Sequence, residues 1–316
     1  MATFNITVPE EQESVRVDKY LSSNETVLKE CGNANRSHLK TILKNITVNG
    51  NPAKLSTKVR GGDVITVDWQ ETIPEDIVPQ NIPLDIVYED ENVTVVNKKQ
   101  GMVTHPAAGN WDKTLVNALL YHWNRDAVNL THRPGIVHRL DKDTSGLIIT
   151  ARNTTAEEWL QKQFQERRVK KEYIAIVYGR PPERSGNIKT QIIRDPKNRK
   201  RFKAVTGTEN GKFAHTVYRC IACYGPFSLM RLKLKTGRTH QIRVHMKYLG
   251  CPILGDPIYA NKHALFPNAS LMLHSRLLGI RLPNSSDFSE FKADVPVRFK
   301  KVLRVLHEKY EKVVLR

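Results

Sequence analysis

The densest cluster of reactive side chains is His138-Arg139-Leu140-Asp141-Lys142-Asp143-Thr144-Ser145-Gly146, set between Ile136-Val137 and the apolar run Leu147–Ile149. Two short apolar runs read as strands, so the polar residues between them form a turn that projects into whatever cleft the sheet edge makes. A turn rich in Asp, Thr, Ser and Gly needs no chemistry to explain it. The sharper reading is that one carboxylate is a nucleophile or base. A guanidinium within a few ångströms would keep it ionised, since such a neighbour lowers an Asp pKa by roughly 1–3. Arg139 and Arg243 are both candidates for that partner.

The same residues fit other chemistries. Asp141 and Asp143 could hold a divalent metal, as Asp-x-Asp pairs in some phosphoryl-transfer enzymes do. No third oxygen ligand is evident nearby, and Lys142 would compete with a cation. Cys220-x-x-Cys223 lacks a second such pair or a spaced His pair, so it reads as packed apolar thiols rather than a zinc site. His240 and His245 fit no ligand spacing and read as structural or hydrogen-bonding residues. Tyr173, in Lys170-Lys171-Glu172-Tyr173, is on its own a half-buried strand aromatic. For a nucleotide substrate, the same ring can stack on a base while its hydroxyl takes part in proton transfer.

Several elements must position these residues. Glu172–Tyr178 reads as a strand carrying Tyr173, and Met230–Lys235 as a half-buried strand with Arg231, Lys233 and Lys235 outward. Thr239 is expected to cap a helix with Ile242, Met246 and Leu249 on one side, Arg243 near its start and Gly250 as its stop. Ala156, Trp159, Leu160 and Phe164 fall at helical spacing, as do Phe299, Val302, Leu303, Leu306 and Tyr310 near the end. Further strands are expected at Ile86–Tyr88 and Val93–Asn97, followed by an amphipathic stretch Leu115–Trp123. Residues 70–83, acidic with three prolines, read as a linker. Ahead of it, Ser37 is placed to cap a short helix through Leu43. Ile46–Val48 enters a tight turn at Asn49-Gly50, and Val64–Trp69 alternates as a last strand.

Composition bounds the partners. The 316 residues carry 50 Lys+Arg against 32 Asp+Glu, a formal charge of +18 that points to a polyanion. Residues 1–76 hold 9 bases and 11 acids, so the excess lies in residues 77–316, with 41 and 21. Its densest runs are 162–203, with 14 bases and 4 acids, and 210–255, with 8 bases and no acid. In the N-terminal part, the acid-free stretch 31–62, with Arg36, Lys40, Lys44, Lys54, Lys58 and Arg60, could hold phosphates on one face. No run approaches the roughly 18 apolar residues of a membrane span, and the acidic opening does not resemble a signal peptide. Four scattered cysteines read as reduced thiols. The expected location is the cytoplasm.

HRLDKDTSG at 138–146, KKEYIAIVYG at 170–179, TGRTHQIRVHM at 236–246 and GDPIY at 255–259 together resemble the RluA family of RNA pseudouridine synthases. HPAAGN and TLVNALL resemble its RluD-like subgroup, which acts on large-subunit ribosomal RNA. RVDKYL, NRSHLKTIL, VNG and GGDVITV resemble the small S-four-type RNA-binding domain. The resemblance implies an α+β fold with a mixed, mostly antiparallel sheet over 84–316, preceded by the small domain at 1–69. It implies an isomerase converting uridine to pseudouridine in a stem-loop of ribosomal RNA, acting as a monomer. Asp141 then matches the catalytic Asp and Arg243 its paired Arg. Tyr173 matches the Tyr that stacks on uracil, and Arg139, with His138 and Thr144, the substrate-binding positions. No metal or other cofactor is implied, because an isomerisation changes neither oxidation state nor composition. Two positions depart from the pattern: Lys98-Lys99-Gln100-Gly101 replaces the usual Lys-Pro-Ala-Gly, and Asn45 replaces a Gly. The first motivates a rival reading as a non-catalytic RNA-binding ribosome assembly factor. A third reading is a metal-dependent nuclease using Asp141 and Asp143.

Overall fold

The computed structural model describes residues 2–24, 27, 43–69, 77–106, 110–124, 134–196, 198 and 201–313. The chain separates into two compact units, Met1–Asp76 and Ile77–Arg316.

The first unit contains β1 (Ala2–Thr7), β2 (Val15–Arg16), α1 (Val17–Leu21), β3 (Leu43–Val48), β4 (Asn51–Pro52), β5 (Lys58–Val59) and β6 (Val64–Trp69). Four strands form an antiparallel sheet in the order β1-β6-β3-β4, and β2 pairs with β5. Alternation in β6 puts Ile65 and Val67 into a core with Val17 and Leu21. Asn49 and Gly50 turn with φ of 52° and 77°, the two positive values that a two-residue hairpin turn needs to match strand twist. Asn45 stands at a bulge between β3 and β6 and donates to Asp68 at 3.1 Å. The helix expected from Ser37 lies outside the described residues, as do Arg36 and Lys40; Lys54, Lys58 and Arg60 are exposed.

The second unit runs β7 (Ile86–Glu89), β8 (Val93–Lys98), α2 (Leu115–His122), β9 (Ser145–Ala151), α3 (Thr154–Gln165), β10 (Lys170–Tyr178), β11 (Ser185–Arg194), β12 (Phe202–Val205), β13 (Lys212–Tyr224), β14 (Phe227–Leu234), α4 (Gln241–Tyr248), β15 (Leu273–Arg281), β16 (Phe288–Lys292), α5 (Val297–Lys309) and β17 (Lys312–Val313). Its strands form one sheet in the order β12-β11-β13-β14-β10-β15-β9-β8-β7, with β16 on β15 and β17 on β13. Among the described residues, only β9 and β15 pair in parallel. This is the mixed, mostly antiparallel α+β architecture that the sequence led us to expect.

Both faces of the central strands are covered, which is why Leu147–Ile149 of β9 form an apolar run without alternation: every residue of the strand is buried. Ile148 packs with Leu115 and Leu119 of α2 and Phe299, Val302 and Leu306 of α5 on one side. Leu147 and Ile149 pack with Ala156 and Leu160 of α3 on the other. Trp159 departs from that stripe and is 41% exposed. Residues 77–83, within the stretch read as a linker, lie against α2: Ile77 packs on Val116 and Leu120, and Asn117 Nδ2 donates to the Val78 carbonyl at 2.9 Å.

One row across three strands sets the site. Tyr173 on β10 stands opposite Ser275 on β15, and Ser275 stands opposite Gly146 on β9. Gly146 has φ of +111°, and a Cβ there would come within 2.2 Å of the Ser275 carbonyl oxygen. A glycine is therefore required for β9 to approach β15, and that approach brings the turn preceding β9 beside Tyr173.

Candidate active site

The turn carrying Asp141 is closed by its own backbone, with Thr144 N donating to the Asp141 carbonyl at 3.1 Å. A second loop clamps it from outside. Gly101 N donates to the Lys142 carbonyl at 2.9 Å, Gln100 Nε2 to the Asp143 carbonyl at 2.9 Å, and Thr104 Oγ1 to the Leu140 carbonyl at 3.0 Å. Lys98 is fully buried, and its ammonium reaches the carbonyls of Met102 at 2.8 Å, Lys99 at 3.1 Å and Lys142 at 3.3 Å. Burial pulls its pKa down to about 7 against the opposing charges of Asp141 and Asp143. Three carbonyl acceptors match the three N–H bonds of the ammonium form. Gln100 also donates to the Leu271 carbonyl and accepts from Ser270 Oγ. The unusual Lys-Lys-Gln-Gly segment thus holds the turn in place.

Arg243 sits one turn into α4, and its entry loop is built around buried Gln241. The Gln241 Oε1 accepts from Thr236 Oγ1 at 2.7 Å and Arg238 N at 3.0 Å, while its Nε2 donates to Thr216 Oγ1 at 3.0 Å. Thr239, expected as the cap, does not serve. His240 occupies the N-cap with φ of 55° and no capping bond, because Gln241 already closes the loop. At the other end, Gly250 has φ of 78°, the left-handed stop that was expected.

Of the two arginines considered for Asp141, the structure selects Arg243, whose Nη1 lies 3.2 Å from Asp141 Oδ2. Its other donors go to Asp256: Nε to Oδ2 at 2.8 Å and Nη2 to Oδ1 at 2.9 Å. The Arg243 side chain is 4% exposed, that of Asp256 0% and that of Asp141 21%. Burial disfavours the Arg243 charge, but the bonds and charge of Asp256 and then the charge of Asp141 outweigh it, so its pKa is raised. Asp256 Oδ1 also accepts from Ile258 N at 2.9 Å and Tyr259 N at 3.0 Å, locking the GDPIY turn. The Tyr259 ring lies under the guanidinium at 5.2 Å.

Sequence reasoning had quoted GDPIY without assigning Asp256 a role. The available signal was elementary: a buried guanidinium has five donors, and one partly exposed carboxylate cannot satisfy them. His240, expected as a structural or hydrogen-bonding residue, bonds Tyr259 Oη through Nδ1 at 2.9 Å and also places Nε2 3.9 Å from Asp141 Oδ2. Tyr259 Oη also accepts from Phe202 N at 2.9 Å, so this hydroxyl joins β12 to His240.

Asp141, Arg243 and His240 line a cavity of about 400 Å³ that Tyr173, Arg139, His138 and Thr144 also border. All six residues singled out from the sequence therefore border one space. Tyr173 is buried, and burial, opposed by a hydrogen bond with Ser275, pushes its pKa up to about 12, so the phenol stays protonated. His138 packs its ring on Phe164 at 4.5 Å, and its Nε2 accepts from Ile149 N at 3.1 Å. Burial, then the charge of Lys171, lowers its pKa to about 3, so it is neutral. Arg139 is exposed at the rim and makes no hydrogen bond or ion pair among the described residues. Lys171, Lys235, Arg167 and Arg238 complete a basic wall around one carboxylate. His245 is buried between Thr216 and Thr190, bonded to their hydroxyls at 2.8 and 3.0 Å, a structural role as expected. Cys220 and Cys223 are buried in β13 as packed thiols.

A partly exposed carboxylate beside a buried guanidinium, an aromatic ring and a basic rim can act on a planar, phosphate-linked ring. Comparison with known proteins agrees. The pattern of the RNA pseudouridylate synthase family matches residues 92–248. A protein of Bacillus subtilis (strain 168) named as an RNA pseudouridine synthase, YlyB, is 40% identical over 94% of this chain and 95% of its own length. The ribosomal large subunit pseudouridine synthase D of Borreliella burgdorferi is 43% identical over 91% of this chain and 88% of that protein. The solved structure of human RNA pseudouridylate synthase domain containing 1 superimposes with a TM-score of 0.57 at 29% identity, over 75% of this chain and 91% of that one. The chain belongs to the RluA family of RNA pseudouridine synthases, which are isomerases.

Proposed function

We propose that this protein isomerises specific uridines to pseudouridine in large-subunit ribosomal RNA, with Asp141 as the catalytic nucleophile or base. The observation that carries this reading is the Asp141 carboxylate held 3.2 Å from buried Arg243 in the cavity that Tyr173 lines. Relatives named for the ribosomal large subunit support the substrate class. In the reaction the bond from ribose to uracil N1 breaks, the base rotates, and a bond from ribose to C5 forms while the C5 proton is lost and N1 gains one. No atom or electron is gained overall. Arg243 pairs with Asp141 at 3.2 Å, and Asp256 holds Arg243. Tyr173 stacks on the uracil, with its hydroxyl protonated at working pH. Arg139, beside His138 and Thr144, holds the place that the flipped nucleotide leaves.

Removing the uridine from its stack costs a few kcal/mol, roughly, which favours the loop of a stem-loop over perfect duplex. The basic wall offsets part of that through phosphate contacts. The unit at 1–76 acts as the S-four-type RNA-binding module, its exposed Lys54, Lys58 and Arg60 orienting RNA. The described cysteines are free, which fits a protein working as a monomer in the reducing cytoplasm. Gln100 clamps the Asp141 turn, so the feature that motivated a non-catalytic assembly factor supports catalysis instead. Among the described residues no group of three or more His, Cys, Asp or Glu is arranged to hold a metal, which gives the nuclease reading no support.

One assay tests the reading. Ribosomal RNA transcript is incubated with wild type or Asp141→Asn, with and without EDTA, and pseudouridine is mapped by carbodiimide-dependent reverse-transcription stops. Stops that survive EDTA and vanish in the variant are expected. Retained binding without stops in wild type would leave the assembly factor, and EDTA-sensitive cleavage the nuclease.

A further inference from the structure

A second cleft, of about 300 Å³, lies next to the first, with Trp159 and Phe288 in its lining. The two share a wall: Phe164, Gln165 and Arg167 border the active-site cavity, while their chain neighbours Gln163, Glu166 and Arg168 border the second cleft. The C-terminal end of α3 and the turn after it thus border both clefts.

The rings in this cleft are held rigidly yet left uncovered. Trp159 is 41% exposed and Phe288 46%, whereas Ala156 and Leu160 of the same helix are fully buried. Trp159 is anchored by its edge, Nε1 donating to the Arg281 carbonyl at 3.0 Å. Gln163, buried beneath, grips the same residue, donating to its carbonyl at 2.7 Å and accepting from its N–H at 3.1 Å. Phe288 lies over Gly279 on β15, where a Cβ would come within 2.6 Å of the ring. Fixed aromatic surface of this kind binds with little loss of side-chain entropy. Three cations, Lys162, Arg168 and Arg281, surround it. Glu166 pairs with Arg168 at 2.9 Å, while the side chains of Lys162 and Arg281 make no ion pair among the described residues.

Aromatic faces with uncommitted cations are what single-stranded RNA needs, the rings for its bases and the charges for its phosphates. We propose that this cleft is an RNA subsite that stacks an unpaired base flanking the target nucleotide on Trp159, with Lys162 and Arg281 on its phosphates. The proposal rests on the RNA substrate proposed above and adds to it a recognition site outside the catalytic cavity.

The test uses the full chain and fluorescein-labelled oligouridylates of three and ten nucleotides, with anisotropy as the readout. In wild type the longer strand is expected to bind at least about tenfold more tightly, because it reaches both clefts. Trp159→Leu, Arg281→Glu and Lys162→Glu should each remove most of that gain and leave the trimer unchanged. Tryptophan quenching by the decamer should disappear in Trp159→Phe. The two charge reversals alter only exposed heads, so they carry the test if Trp159→Leu misfolds by circular dichroism. Decamer binding at wild-type strength in the charge-reversed variants, or no length dependence in wild type, overturns the proposal. Pseudouridine formation on ribosomal transcript is measured in parallel. Conversion without a length-dependent gain sinks the subsite alone, and a gain without conversion sinks the isomerase reading alone.

Discussion

Asp256→Asn isolates how the site holds its charge. The substitution keeps Oδ1, so the bonds from Ile258 N, Tyr259 N and Arg243 Nη2 survive. It places an NH2 group where Oδ2 accepted Arg243 Nε at 2.8 Å, setting donor against donor, and it removes the only fully buried counter-charge of a guanidinium that is 4% exposed. Breaking such a pair from one side costs about 3–5 kcal/mol. Asp141 remains 3.2 Å away but is 21% exposed, so its screened charge offsets part of the loss and the lower end, about 3 kcal/mol, is expected. For a unit of this size that lowers the melting temperature by roughly 6–12 °C. Turnover should fall about a hundredfold, mainly in kcat, because Arg243 loses the anchor that aims it at Asp141. The double variant Arg243→Met with Asp256→Asn should recover part of the stability with no turnover, since the Asn oxygen keeps the bonds from Ile258 N and Tyr259 N and no guanidinium faces its NH2 group. Thermal melts and single-turnover kinetics decide it. An Asp256→Asn protein that melts within about 2 °C of wild type and keeps its kcat would refute the reasoning.

Gln100→Ala removes the side-chain bonds that tie the Asp141 turn to the carbonyls of Asp143 and Leu271, so a stability loss of about 1–3 kcal/mol and a lower kcat are expected in melts and kinetics. Lys171 borders the cavity, and burial lowers its pKa from 10.5 to about 8. Phosphate favours the protonated form, which predominates below that pKa, so RNA affinity should fall as pH rises through about 8. Lys171→Met should abolish this dependence and reduce the slope of log affinity against log salt by about 1, measured by anisotropy.

The site and the fold were legible in the sequence to different depths, for physical reasons. Local pattern was enough for β9, whose short apolar run Leu147–Ile149 follows a turn-rich segment, and for the Asn49-Gly50 turn, whose residue types tolerate positive φ. For Asp141, Tyr173 and Arg243 local pattern left ordinary turn and strand readings open, and the resemblance carried by the motifs around them singled them out. Pairing was another matter. Nothing local distinguishes Arg139 from Arg243 as the partner of Asp141; that choice follows from α4 being set against the turn, which leaves Arg139 at the rim. Asp256 accepts the N–H groups of its own turn, and the same carboxylate satisfies a guanidinium that burial would otherwise leave underbonded; no local pattern links the two. Trp159 sat in a helical apolar pattern, yet β15 ends where its ring edge can bond the Arg281 carbonyl, so it stays at the surface. Sequence periodicity records which side of an element is apolar. Which distant groups that side meets depends on strand order and helix placement, and the chemistry of this site is made from those meetings.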